Sequence, residues 1–184
     1  AIGQDHFKKD RSDPPRNTFG GKMPREGWST TTAVSFVAQT FKAVRLHHMD
    51  APALSVIATI LRSMYLHREI REKGGAYGGL AVYESENGLF SFGSYRDPHI
   101  VSTLKTYEKA ESFICSGSYE KEDVKEAILQ VCSDIDKPDS PGTAARKAFY
   151  RTIVSLHDET RKQFKTKLLS TDRDQVVSIA RKYF

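Results

Sequence analysis

Eleven residues, Glu69 to Gly79, read EIREKGGAYGG and bring an arginine, a tyrosine and four glycines into one short stretch. Arg71 falls at the end of an apolar-periodic helix, two glycines stop that helix, and Tyr77 opens a strand six positions after the arginine. A guanidinium and a phenol held on two rigid elements either side of a tight turn can both donate to one carbonyl oxygen. That is the chemistry of gripping a peptide backbone or a developing oxyanion. Gly74, Gly75, Gly78 and Gly79 strip bulk from the surroundings and let another backbone come close. A strand edge bared in this way, beside a helix-end arginine, suits an extended peptide added as a further strand. His67 lies four residues before Arg71 on the same helix face and can join them. Each residue also has a plainer reading. Arg71 suits the negative end of a helix dipole, Tyr77 suits a sheet edge, and His67 can simply pack.

Other chemistries fail on residue order. A phosphate loop needs its lysine after the glycines, whereas Lys73 precedes them. A dinucleotide fingerprint fails because Ala76 stands where its second glycine belongs and the segment runs from helix to strand. The six histidines, His6, His47, His48, His67, His99 and His157, form no zinc-binding helical motif. Two cysteines, Cys115 and Cys132, are too few for a cysteine zinc site and fit a reducing compartment without a disulfide framework. No serine nucleophile elbow is present, so the sequence does not hold a complete active site.

The elements that must position Arg71 and Tyr77 follow from periodicity. Residues 1–29 carry clustered prolines and glycines without a sustained period and read as a linker-like lead-in, ahead of one domain over 30–184. TTAVSFVAQTF, from Thr31, is β-branched and partly alternating, with Val34, Phe36 and Ala38 on one side of a strand. Asp50 is placed to cap a helix with Pro52 in its first turn. Leu54, Ile57, Ala58, Leu61, Met64 and Tyr65 keep helical spacing to Lys73, where Gly74 and Gly75 end it. AYGGLAVYE and GLFSFGSY, joined through Asn87-Gly88, read as an antiparallel hairpin. After Asp97-Pro98 come a helix bearing Ile100 to Ile114 and another from Glu120 to Ile135. A loop over 136–142 precedes three shorter helices near 143–154, 158–169 and 172–183, the last opened by a capping pattern at Thr171 and Asp174. Strand, helix, two strands, then helices is an α+β order: an antiparallel sheet with helices on one face.

The bulk properties set the remaining bounds. With 184 residues the chain can bury a core, and no apolar run reaches the ~20 residues a membrane span requires. The N-terminus lacks the apolar core of a signal peptide, and an opening without methionine is expected of a piece of something larger. The net charge is +5, and residues 144–168 hold seven Lys/Arg against Asp158 and Glu159. That stretch reads as a solvated helix face. A nucleic-acid role is disfavoured, because aromatic residues do not interleave with its charges as they do on a base-stacking surface.

LHREIREKGGAYGG, the Asn-Gly hairpin, FSFGSYRDPH, IDKPDSPG and the closing RKYF together resemble the C-terminal domain of the presequence proteases. These are inverted-zinc-motif metallopeptidases of the pitrilysin–insulinase (M16) type, and the resemblance covers roughly Thr31 to Phe184. It implies a clamshell peptidase of four related α+β domains, acting on short unstructured peptides such as cleaved targeting presequences. Zinc and a catalytic glutamate would belong to the N-terminal half of the same protein, whose zinc motif this sequence lacks. In the family's scheme zinc polarises water and the scissile carbonyl while the glutamate takes the proton. Arg71 and Tyr77 would reach across the chamber as catalytic donors, with Gly75, Ala76, Gly78 and His67 in contact with substrate. The resemblance further implies a mitochondrial matrix or plastid location, and no activity for this piece alone. The competing expectation is a catalytically silent relative of the same fold, serving as a structural or interaction subunit.

Overall fold

The alternating apolar residues of three segments build a small antiparallel sheet: β1 (Ser35–Lys42), β2 (Gly78–Glu84) and β3 (Leu89–Asp97), in the order β1-β3-β2. The computed structural model describes residues 25–153 and 156–184. The chain divides into two units, Ala1–Thr31 and Thr32–Phe184, and the second holds every element named here. In the first unit residues 25–30 have no regular structure; the rest of the expected lead-in lies outside the described residues. The observed architecture is the α+β arrangement expected, with β3 central and both neighbours antiparallel to it.

The strand face that meets the helices carries Val37, Ala81, Phe90 and Phe92. In β1 this corrects the expected start and decides which side is covered. The strand begins at Ser35, Val37 is buried, and Phe36 is 68% exposed on the other face with Ala38. An edge strand with one covered face buries alternate residues only, and pairing with β3 decides which. The β2–β3 hairpin turns through Asn87-Gly88, as expected. Ser85 to Gly88 form the connection, Gly88 alone takes a positive φ, and its N–H donates to the Glu84 carbonyl at 2.8 Å.

Helix α1 (Ala51–Ile60) runs on without a break into a π-helical segment (Leu61–Glu72). Leu54, Ile57, Ile60, Leu61 and Leu66 are fully buried along its length. Asp50 precedes it but makes no side-chain cap, correcting the expected role. Its carboxylate accepts from Lys182 Nζ at 2.6 Å and from the Tyr183 hydroxyl at 2.8 Å. Burial alone would raise the Asp50 pKa, but these hydrogen bonds and the neighbouring positive charge together outweigh it and hold the group below its ordinary 3.8. Phe184 follows and stacks edge-on against Phe41 and Phe90 at 5.2 and 5.1 Å. The last three residues thus tie the C-terminus to the start of α1 and to the sheet.

Five further helices complete the domain: α2 (Ile100–Ser116), α3 (Lys121–Asp136), α4 (Pro141–Ile153), α5 (Asp158–Leu169) and α6 (Arg173–Tyr183). Gly117, with φ 64°, ends α2 in the left-handed conformation. The capping box of α6 uses Asp172 and Gln175, one position beyond the Thr171–Asp174 pair expected. Helix α4 has no buried residue, and it exposes Phe149 and Tyr150 beside Lys147 and Arg151. Aromatics do therefore stand among the basic residues of this stretch, contrary to the sequence reading. Among the described residues no helix is long and apolar enough to cross a membrane.

Candidate functional site

The helix that carries Arg71 ends in a widened form, and this widening determines what its last turn can hold. The Lys73 N–H donates to the Arg68 carbonyl, five residues back, at 3.0 Å. Side chains five apart then meet, and π-helical segments of this kind recur at functional sites. His67 Nδ1 lies 3.2 Å from Glu72 Oε1, and His67 Nε2 lies 3.4 Å from Arg71 Nη1. A neutral His67 protonated on Nδ1 satisfies both: it donates to Glu72 and accepts from Arg71. The other cations of this turn are already occupied. Glu69 binds Arg68 at 2.9 Å and Lys73 at 2.8 Å, and its pKa is lowered first by the Lys73 hydrogen bond. Among the described residues no carboxylate pairs with Arg71, whose exposed guanidinium keeps donors to spare.

The turn between helix and strand is closed by backbone bonds that only a glycine-bearing segment can make. Gly75, at φ 74°, donates its N–H to the Arg71 carbonyl at 3.1 Å, and the Ala76 N–H reaches the Ile70 carbonyl at 3.1 Å. Ala76 is buried, so it enters the site only through the turn it closes. A Cβ on Gly79 would lie 3.1 Å from both the Leu66 carbonyl oxygen and Ile70 Cβ, and one on Gly78 would lie 2.9 Å from the Tyr95 ring. The close approach that these two glycines allow is thus made by the chain's own helix and by Tyr95, rather than left open as the sequence suggested. Tyr77 stands just before β2 and is 57% exposed.

Three side chains surround that ring. Tyr95 packs against it with centroids 5.0 Å apart and planes tilted by 56°. The Arg71 guanidinium carbon is 6.0 Å from the ring centroid and that of Arg96 is 5.9 Å. The structure therefore brings Arg71, Tyr77 and His67 together as expected from sequence, and adds Arg96 and Tyr95, which sequence reasoning did not single out as site residues.

Arg96 arrives there through a β-bulge. Ser35 pairs with Asp97 and Phe36 with Tyr95, so Arg96 has no partner in β1. It is the one non-glycine residue with positive φ among those described, at 50°. Such a backbone costs a residue with a Cβ about 1–2 kcal/mol, while an exposed cation–π contact returns about 0.5–1 kcal/mol. The neighbouring Asp97 clamps the bulge. Its buried carboxyl accepts from Ser94 Oγ and Thr103 Oγ1, each at 2.6 Å, and from the His99 N–H at 2.8 Å. One of these donors lies on β3 and another on α2, so the bulge is fixed to two elements at once. From the same helix the buried Tyr107 hydroxyl donates to the Val37 carbonyl at 3.1 Å, and burial pushes its pKa up to about 12.

Arg71, Arg96 and the Tyr77 hydroxyl make an exposed cluster of donors suited to a carbonyl oxygen or an anion. The cluster does not suit a metal cation. Among the described residues no three or more His, Cys, Asp or Glu side chains are placed to hold an ion, and the one His–Glu pair, His67–Glu72, lies against a guanidinium. Zinc does not fit this site.

Residues 26–182 match the family model described as PreP C-terminal domain. The chain is 35% identical over 166 residues to the mitochondrial presequence protease of Xenopus tropicalis, covering 90% of this chain and 16% of that protein. It is 36% identical over 151 residues to the corresponding protein of Kluyveromyces lactis, covering 82% of this chain and 15% of that protein. The fold is shared with solved structures of lower identity. A protease from Helicobacter pylori superimposes with a TM-score of 0.71 at 16% identity, over 85% of this chain and 39% of that one. The inactive peptidase domain of a zinc protease from Bordetella parapertussis gives 0.68 at 19% identity, over 83% and 88%. The sheet, its helical cover and these matches converge: the chain has the M16 peptidase fold and belongs to the presequence protease C-terminal domain family.

Proposed function

We propose that this domain completes the substrate site of a zinc oligopeptidase that degrades short unstructured peptides, cleaved targeting presequences among them. The observation that carries the proposal is the pairing of Arg71 and Tyr77: both exposed, 6.0 Å from guanidinium carbon to ring centroid, with no carboxylate among the described residues neutralising the arginine. Tyr77 donates from its hydroxyl and Arg71 from its guanidinium to the peptide carbonyl, and both strengthen as charge develops on that oxygen. His67, braced by Glu72, holds the arginine's direction. Gly75, Ala76 and Gly78 shape the turn and the floor against which the peptide lies. The zinc and its ligands belong to the N-terminal half of the same protein, outside this chain. The domain alone is inactive, and the whole enzyme works in an organelle, the mitochondrion in the first instance.

Arg71→Ala and Tyr77→Phe in the full-length protein are expected to cut turnover about 10²–10³-fold each, the usual cost of losing one such donor. Unfolding temperature should hold, since both side chains are exposed. Near-normal turnover in either variant contradicts the role. A second reading is a catalytically silent structural subunit. Relatives in fold described as inactive peptidase domains, from Pseudomonas fluorescens and Bordetella parapertussis, give it its footing. It predicts that the full-length protein cleaves no unstructured peptide at all.

A further inference from the structure

We infer that Arg96 is a positioning residue for Tyr77: with Arg71 it holds the phenol ring in the orientation from which the hydroxyl meets the peptide carbonyl. The inference rests on the function proposed above for Tyr77. Three observations support it. Arg96 occupies the left-handed region at φ 50° where glycine or asparagine would be less strained, so something other than the turn retains an arginine there. It is the extra residue of a bulge, and bulges re-aim side chains next to active sites. Finally, its guanidinium carbon lies 5.9 Å from the Tyr77 centroid, as Arg71 lies 6.0 Å from it, while Tyr95 packs against the ring at 5.0 Å.

The backbone reinforces the same pairing. The Tyr77 N–H donates to the Arg96 carbonyl at 3.4 Å, so main chain and side chain of Arg96 both bear on the tyrosine. Asp97 holds the bulge from behind through Ser94, Thr103 and the His99 N–H, which leaves the Arg96 side chain as the exposed, adjustable part of a fixed backbone. Among the described residues no carboxylate pairs with it, and its guanidinium stands over the Tyr77 ring. A surface arginine kept for solubility would need neither the bulge nor the strained backbone.

Arg96→Gly suits the test because glycine favours this φ, so the fold should survive with its unfolding temperature unchanged or raised. In the full-length enzyme, with an unstructured peptide as substrate, kcat should fall about 5- to 20-fold and KM should change less than 2-fold. These are the values expected when a donor is misdirected rather than removed, which costs up to about 10²-fold. Arg96→Lys should recover part of the loss, because an ammonium can still sit over the ring. The decisive arm is the cycle with Tyr77→Phe: once the hydroxyl is gone, Arg96→Gly should have no further effect on kcat. Full kcat in Arg96→Gly while Tyr77→Phe is slow overturns the inference and leaves the role of Tyr77 standing. An equal fold-loss from Arg96→Gly in both backgrounds overturns it too, since the arginine would then act independently of the hydroxyl. Normal turnover in Tyr77→Phe overturns this inference together with the function on which it rests.

Discussion

The corner that carries Arg71, Tyr77 and Arg96 and the helix α4 are built on opposite terms. In the corner the room beside Gly78 and Gly79 is taken by Tyr95 and by the preceding helix, and a buried carboxyl with three donors locks the bulge. The side chains around the Tyr77 ring that reach solvent are polar or amphipathic: two guanidinia, an imidazole and the phenols of Tyr77 and Tyr95. Along α4 no residue is buried, and Phe149, Tyr150 and Ile153 are exposed. Its order comes from its own backbone bonds and from local ties such as Lys147 to Asp139 at 2.7 Å. The contrast teaches where this domain spends its packing. Groups that must point in one direction are fixed by backbone and buried hydrogen bonds, whereas a segment without such groups is left to lie on the surface.

The comparison can be broken most severely at Asp97. Asp97→Ala removes the acceptor for Ser94, Thr103 and the His99 N–H together and should cost about 3 kcal/mol of stability, read by denaturant unfolding. A loss below 1 kcal/mol would mean that the bulge is not clamped in this way. Gly79→Ala is the next test. Its methyl group would press on the Leu66 carbonyl and Ile70 Cβ, both 3.1 Å away, at an expected cost of about 1–3 kcal/mol. Turnover should fall as well, because the same push displaces the helix end that bears Arg71. Phe149→Ser on α4 sharpens the other side. With nothing buried along that helix, stability should move by no more than about 0.5 kcal/mol, and a larger loss would show that α4 packs after all.

Much of this contrast can be read from the sequence, and the parts that cannot be share a cause. The helix stop at Gly74-Gly75, the hairpin and the α+β order are local statements, carried by residue type and spacing within a few positions. The Arg71–Tyr77 pairing is legible for the same reason, since a six-residue separation across a tight turn leaves little freedom. Arg96 is different. Its role depends on β1 pairing with β3 one residue out of step, a property of two strands whose paired residues at the bulge are more than fifty positions apart. Asp50 reads as a helix cap because the sequence beside it looks like a helix start, but its real partners, Lys182 and Tyr183, lie more than 130 residues away. The π-helical widening leaves no mark on the apolar pattern. It is visible afterwards in the His67–Glu72 contact, a five-residue spacing that an ordinary helix would not bring face to face. The parity of β1 was open because Phe36 and Val37 are both apolar, and only the sheet decides which of them faces the helices.

The central claim is that the Tyr77 hydroxyl does chemistry in a peptidase, and one atom tests it. Turnover of an unstructured peptide should be measured for the full-length protein and for Tyr77→Phe, with the unfolding temperature of each. A fall of about 10²–10³-fold at unchanged unfolding temperature is the predicted result. Turnover within a few-fold of the parent protein would contradict it, leaving Tyr77 as an exposed aromatic between two arginines.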